Sequence, residues 1–291
     1  MPPLSLAHQV VLVTGATSGI GEAVVQMAAK QGAKLVLAAR REGVLQTMED
    51  ILTKQGVEVL VVPTDMADPE QVKALAEKAL AHFGQVDILI NNAGFGQMGP
   101  VEQISGEAVQ RQFDVNVFGL LGLTRALLPA MRERGQGRII NISSVAGQIS
   151  MPLSGVYNAT KHAVEALSDA LRVEVAPFGI RVVVVEPGPV KTDFFRVAED
   201  TSAQVADPNG PYAGLADTME NFKASATDLA WPVEKVAKII VRAMTDPNPA
   251  PRYTAFQLGK AGLGLMRLTP SRVMDGFWSR TFGFNKLSTP K

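Results

Sequence analysis

Val10-Val-Leu-Val-Thr14-Gly15-Ala16-Thr17-Ser18-Gly19-Ile20-Gly21 is the stretch that decides the fold. Val10–Val13 is apolar without alternation, as in a strand buried on both faces of a parallel sheet. Glycines at 15, 19 and 21 permit a tight turn and let the backbone approach an anion. The helical segment that follows (21–31) would aim its free N–H groups and positive dipole at that turn. By itself the G-x3-G-x-G spacing reads equally as an ordinary strand–helix turn. Its place after the first buried strand and ahead of a helix is the context that a dinucleotide pyrophosphate needs. Gly15, Thr17, Ser18, Gly19, Ile20 and Gly21 are therefore candidate phosphate contacts.

Outward from this point the pattern repeats. Short apolar runs lie at Leu35–Ala39, Val59–Val62, Val86–Ile90, Ile139–Ile142 and Ile180–Val185, with helical spacing over 69–83, 107–134 and 155–177. Repeated strand–helix–strand units predict a doubly wound parallel α/β sheet, a Rossmann-type fold. We read residues 1–250 as one nucleotide-binding catalytic domain and 251–291 as a C-terminal extension, a substrate lid or contact segment. The stretch Ala198–Trp231 is less regular. Of the 291 residues, 46% are hydrophobic and 19% charged, which fits a large buried core. Basic and acidic residues balance at 28 each, against a nucleic-acid partner. Cysteine is absent, which excludes disulfides, thiolate zinc sites and cysteine nucleophiles and fits a cytoplasmic protein. His8, His82 and His162 belong to no ligand motif, so no metal site is expected. The start MPPLSLAHQ has no signal-peptide pattern, and the wholly apolar runs fall short of the ~18 residues that span a bilayer.

The second strand bears on cofactor choice. An acid about 20 residues beyond the glycines would bind a ribose 2′-hydroxyl and select NAD. Here the strand ends Leu37-Ala38-Ala39-Arg40-Arg41. Two arginines suit a 2′-phosphate, so NADP(H) is expected, with Arg40 the better candidate because it lies nearer the strand end.

Tyr157 and Lys161 stand four residues apart in a helical segment, on one face and one turn apart. A tyrosine titrates near 10; bringing it to neutrality takes about 4 kcal/mol of differential stabilisation. One ammonium falls short of that, whereas an ammonium and an oxidised nicotinamide in a sheltered cleft reach it. The pair alone is common on exposed helices, and the surrounding residues are what give it meaning. Ser143-Ser144 follows the strand Ile139–Ile142, Asn91-Asn92-Ala93-Gly94 follows Val86–Ile90, and Pro187-Gly188-Pro189 follows Ile180–Val185. All lie at the carboxyl ends of strands, where open α/β sheets bind ligands.

On TGATSGIG (14–21), NNAG (91–94), Asn116 in NVFG, Ser144, YNATK (157–161) and PGPVKT (187–192), the chain resembles a single-domain short-chain dehydrogenase/reductase over residues 7 to about 250. The resemblance implies an alcohol–carbonyl oxidoreductase in which Tyr157 is the general acid/base. Lys161 would bind the nicotinamide ribose and depress the Tyr157 pKa. Ser144 would hydrogen-bond the substrate oxygen and Asn116 would hold a relay water. The resemblance also implies that Asp65 meets the adenine amine, that Asn92 lies beside the adenine ribose and that Val190 and Thr192 hold the carboxamide, with Met66, Ala93, Gly94, Pro187 and Gly188 as further cofactor contacts. Thr160, where serine is usual, is the one departure from the family's pattern.

The expected pocket wall is apolar: Phe95, Met98, Ile149, Met151, Leu153, Phe194, Phe195, Tyr212, Met219 and Phe222. That suits an apolar ketone, aldehyde or alcohol of steroid, retinoid or fatty type. The 103 residues after Gly188 are similar in extent to the hydroxysteroid and retinol dehydrogenase-like branch. A homodimer or homotetramer is expected. A non-catalytic NADP(H)-binding sensor is the rival reading; such a protein would be free to lose Tyr157 or Lys161. An epimerase or dehydratase is disfavoured by the glycine spacing and by Ser144. From Arg252 to Lys291 there are seven basic residues and one acid among large apolar ones. Packing on the chain's own domain, as lid or subunit contact, is favoured over peripheral contact with a membrane.

Overall fold

A computed structural model describes residues 2–194, 210–215, 224, 226–256 and 259–287. Seven parallel strands form one sheet in the order β3-β2-β1-β4-β5-β6-β7. They are β1 (Val10–Thr14), β2 (Lys34–Ala39), β3 (Val59–Pro63), β4 (Ile88–Asn91), β5 (Gly137–Ile142), β6 (Ile180–Pro187) and β7 (Arg252–Ala255). The order reverses between β1 and β4, so a crevice opens at their carboxyl ends.

The apolar runs show no alternation because both faces are buried. Val11 and Val13 of β1 join one core layer, with Val24, Val25 and Ala28 of α1 (Gly19–Lys30) and Val236, Ala237 and Ile240 of α7 (Val233–Thr245). Val10 and Leu12 face the other layer. It contains Val72 and Leu75 of α3 (Pro69–Phe83) and Leu123 and Leu127 of α5 (Leu120–Glu133). Helix α2 (Glu42–Lys54) adds Leu45, Met48 and Leu52 to the first layer. At burial values of about 1.5–3 kcal/mol per large apolar side chain, these two layers dominate the stability.

The helix expected over 107–134 is not a regular one. Helix α4 (Gly106–Phe113) runs into a wide π turn, Asp114–Gly119, before α5. A single extra residue in a turn leaves the 3.6-residue spacing of the flanking segments intact, so the apolar pattern conceals it. The helical run 106–133 is long and apolar enough to cross a membrane by length and composition. Its seam of Leu120, Leu123, Leu127 and Met131 is instead buried in the protein.

The sheet also runs past the boundary expected at residue 250. Strand β7 pairs with β6 over Val184–Pro187 and Arg252–Ala255. Arg-Tyr-Thr-Ala lacks the apolar run of an inner strand, being the edge of the sheet. After it come α8 (Gly259–Leu268) and α9 (Ser271–Thr281). Between β6 and the long helix α6 (Gly155–Val175), Arg252 reaches Glu165 at 3.0 Å and Glu186 at 3.3 Å and also pairs with Asp169. The Glu165 and Glu186 side chains are only 8% and 3% exposed. Burial pushes the Glu165 carboxyl up, and Arg252 opposes that. Arg252→Leu should therefore cost about 3 kcal/mol, since it strands two buried carboxylates without their cation. The deficit, measured by chemical denaturation, should shrink as pH falls towards the ordinary carboxylate range, where Glu165, already pushed up by burial, is carried protonated.

Candidate active site

The glycine turn is shaped by what lies against it. A Cβ on Gly15 would sit 2.9 Å from Asn92 Nδ2, one on Gly21 2.3 Å from the Gly15 carbonyl, and one on Gly19 2.9 Å from Thr192 Cγ2. Gly15 and Gly19 also hold positive φ, which glycine adopts without strain. Ser18 precedes α1 but makes no side-chain cap, so the first-turn amides have no side-chain acceptor there. The turn thus presents bare backbone donors and a helix dipole, a fit for a pyrophosphate. Thr14 and Asn92 lock it across β1 and β4. Thr14 Oγ1 donates to the Ile90 carbonyl and accepts from the Asn92 and Ala93 amides. Asn92 Nδ2 donates to the Thr14 and Gly15 carbonyls.

Beyond β2, Ala39 is buried and neutral, while Arg40 and Arg41 are exposed. The Arg41 guanidinium donates to Thr17, at its carbonyl (2.8 Å) and its hydroxyl (3.0 Å). Arg40 is felt at Asp65. Asp65 accepts from the Ala67 amide and pairs with Arg111 at 2.7 Å, a contact that its place in the sequence did not suggest. Burial pushes the Asp65 carboxyl up, but those bonds and Arg40 outweigh it and hold the group below the usual range. Met66 beside it is buried, and its carbonyl abuts Gly119, where a Cβ would approach to 2.1 Å.

At the other end of the crevice, α6 carries Tyr157, Lys161 and Glu165 in one row at four-residue spacing. Lys161 Nζ lies 5.8 Å from the centroid of the Tyr157 ring and donates to the Ile142 carbonyl at 2.9 Å. Ser144 opens the turn after β5, where its hydroxyl hydrogen-bonds the Tyr157 phenol and lies 3.3 Å from the Pro187 carbonyl. The π turn brings in Asn116, whose Oδ1 accepts from the Phe95 amide and whose Nδ2 donates to the Phe95 carbonyl and to Thr160 Oγ1. Thr160 in turn donates to the Tyr157 carbonyl at 2.8 Å. The threonine that departs from the family's usual serine thus keeps the hydroxyl that this chain of bonds uses. A Cβ on Gly94 would lie 3.1 Å from Asn116 Oδ1 and 3.7 Å from Lys161 Nζ. Tyr157, Lys161, Ser144 and Asn116 therefore meet at one end of the crevice, with Gly94 between two of them. His162 turns aside to the Asn158 carbonyl, as its position one residue round the helix dictates.

Burial pushes the Tyr157 phenol up to about 12, against the pull of the Ser144 hydrogen bond. Burial also lowers Lys161 to about 8, although Glu165 resists. The nearby ammonium alone does not bring the phenol down, because desolvation disfavours both charged forms. Resting Tyr157 is a protonated acid.

The surroundings are apolar. Phe194 packs on Tyr157 with ring centroids 5.4 Å apart, and Met98 and Phe194 close over Gly96. Leu153 holds a positive φ of 63°, a strained setting for leucine four residues before Tyr157. It is buried against Leu215 and Phe282, with Trp278 and Phe284 packed around them, so the C-terminal segment roofs this wall. Sequence spacing could not show that. Of the other expected wall residues, Phe195, Met219 and Phe222 lie outside the described residues. Thr192 and Val190 sit by the glycine turn and the Val190–Trp231 bridge, and Gly188 abuts Phe256, where a Cβ would approach to 2.3 Å.

Residues 9–203 match the family described as short chain dehydrogenase. The chain belongs to the short-chain dehydrogenase/reductase family. It is similar to "Dehydrogenase/reductase SDR family member 7B" of Mus musculus, 42% identical over 232 residues that make up 78% of this chain and 70% of that one. Among solved structures it is similar to a short-chain dehydrogenase/reductase of Burkholderia phymatum in complex with NAD. The TM-score is 0.78 at 30% identity, with 94% and 96% of the two chains covered. A metagenomic short-chain oxidoreductase in complex with NADP matches with a TM-score of 0.69 at 26% identity, covering 87% of this chain and all of that one. This short-chain dehydrogenase is thus an oxidoreductase on a nicotinamide-dinucleotide fold, a fold seen with either cofactor.

A lysine that titrates near 8 instead of 10.5 costs the fold about 3 kcal/mol at neutral pH, and its hydrogen bond to Ile142 returns about 1. Lys161→Met should accordingly raise Tm by several degrees at pH 7. The advantage should fade as pH climbs from 8 towards 10.5, where the wild-type lysine is carried neutral and its penalty is gone. Thermal unfolding of both proteins across that range measures it.

Proposed function

We propose that this enzyme interconverts an alcohol and a carbonyl on an apolar substrate with NADP(H), and that Tyr157 moves the proton. The observation that carries the reading is the meeting of a protonated, buried phenol with Ser144, Lys161 and Asn116 beneath an apolar cover of Phe194 and Met98. When bound, NADP(H) supplies or accepts the hydride and, in its oxidised form, adds a second positive charge. In the reductive direction the Tyr157 hydroxyl donates its proton to the substrate oxygen, and Ser144 holds that oxygen by a second hydrogen bond. The phenolate left behind is buried, so the Lys161 ammonium is what makes it affordable. Asn116 and Thr160 fix the strand of residues along which a replacement proton would be drawn. The phenol rests protonated, so it holds the proton that the reductive direction calls for.

The NADP(H) preference is supported by a neutral Ala39 with Arg40 and Arg41 after it, Arg41 being tied to the glycine turn at Thr17. The apolar substrate class is supported by the wall around Tyr157, and a cytoplasmic setting by the lack of cysteine.

Tyr157→Phe keeps the ring packed on Phe194 but removes the transferable proton. NADPH should still bind by fluorescence titration while turnover of a soluble ketone falls at least ~10²-fold. Near wild-type kcat would remove Tyr157 from the role. Binding of NADPH by the wild type with no turnover over a panel of ketones and aldehydes would indicate a sensor instead.

For the cofactor, charge-assisted bonds to a phosphate are worth about 1.5–3 kcal/mol, so kcat/KM should favour NADPH over NADH by roughly 10- to 100-fold. Arg40→Asp should abolish or invert that ratio. An unmodified enzyme that uses NADH as well as NADPH contradicts the preference.

A further inference from the structure

Helix α9 has two different faces. Trp278 and Phe282 of its inner face pack on Leu153 and Leu215 beside the Tyr157 wall. The outer face of α9 is lined by two adjacent rows at four-residue spacing, Arg272–Gly276–Arg280 and Val273–Phe277–Thr281. They border a shallow notch of about 410 Å³. Gly276 has nothing within 4 Å of where a Cβ would stand, so the notch opens outwards between the two guanidiniums. Val273 is 60% and Phe277 51% exposed. On α8, Leu265 (70%) and Leu268 (84%) are the two most exposed large apolar side chains of the described residues. Four such side chains within 13 residues of sequence exceed the scattered singles normal on a surface.

Charge says what this surface would meet. Residues 259–287 hold five basic side chains and one acid, Asp275, in a chain whose basic and acidic residues total 28 each. Around the helix at 100° per residue, Asp275 falls about 140° from Arg280 and about 60° from Arg272, at the edge of this face. Exposed apolar groups interleaved with cations, with a single acid at their edge, match an anionic lipid surface, with alkyl and aromatic groups entering among the acyl chains and guanidiniums at the headgroups.

We propose that the outer face of α9, with the exposed leucines of α8, seats this enzyme on an anionic bilayer surface. The binding stands apart from the chemistry proposed above. Its corollary rests on that reading: an apolar substrate reaches the Tyr157 cleft from the bilayer, beneath the same helices.

The test is co-sedimentation of the full chain with vesicles of equal parts phosphatidylcholine and phosphatidylserine, and with phosphatidylcholine alone. Binding should require phosphatidylserine and weaken in ~1 M salt, where screening shrinks to about 3 Å. Each arginine near such a surface is worth about fivefold in partitioning, so the double variant Arg272→Glu/Arg280→Glu should lose at least about 30-fold. Gly276→Glu, which meets only open space and suits a helix better than glycine, keeps the test sound if the double variant folds poorly. It should also weaken binding, with Tm no lower and NADPH-dependent turnover of a water-soluble ketone unchanged. Turnover of a ketone dissolved in the vesicles should fall in the same variant; an enzyme with no turnover on either ketone would discredit the chemistry while leaving the vesicle result intact. Absence of binding to phosphatidylserine vesicles, or binding that neither variant weakens, overturns the proposal. So does a dimer in analytical ultracentrifugation that Gly276→Glu splits without any vesicle binding, which would make this face a subunit contact.

Discussion

The hydrogen bonds between Thr14 and the Asn92-Ala93 backbone hold together the two strands at which the sheet reverses direction. Every other strand is laid down outwards from β1 or β4, so an error there would propagate to both halves. One threonine hydroxyl satisfies a β4 carbonyl and two amides at once, and one asparagine amide satisfies two carbonyls of the first strand. The knot also leaves no room at Gly15 or Gly21 for a side chain. The bonds that align the central strands are thus the ones that shape the phosphate turn, and fold and site share a single local constraint.

The row Tyr157, Lys161 and Glu165 shows a second constraint, the low tolerance of the interior for charge. Each member departs from its ordinary protonation in the direction that burial dictates: phenol up, ammonium down, carboxyl up. The protein holds such groups only by surrounding them with directed partners. The Ile142 carbonyl takes the ammonium, Arg252 takes Glu165, and Ser144 meets the phenol. A sheltered cleft able to hold an apolar substrate brings that cost with it, and α6 concentrates the cost on one face.

Much of this was legible in the chain itself. Six of the seven strands announce themselves as strongly apolar runs, three of them interrupted once (Asp87, Asn141, Arg181), and the glycine turn, NNAG, Ser144 and YNATK stand at fixed distances that a linear reading can measure. What escaped notice depends on information that local spacing does not hold. Strand β7 is an edge strand with a polar composition. Arg111 reaches Asp65 across 46 positions. How far burial lifts the Tyr157 phenol depends on the depth at which it lies, and depth is a property of the packed core. The C-terminal segment reads as a lid, but its partner Leu153, more than 120 positions before Trp278, does not follow from spacing. The Lys161–Glu165 spacing was visible and could have flagged the acid behind the lysine.

The π turn at 114–119 has a further consequence, for how this chain can vary. It holds one more residue than an α-helical turn, and so works as an insertion accommodated inside a helix. Removing any single residue there would restore regular winding and leave the flanking segments in phase, but it would erase the wide turn that carries Asn116 to Phe95 and Thr160. Gly119, pressed on the Met66 carbonyl, bars the backbone from easing sideways. Length is therefore frozen in these six residues even where side-chain identity is free. Drift in helix length must be absorbed at the ends of the helical run, where turns can lengthen without turning a functional face.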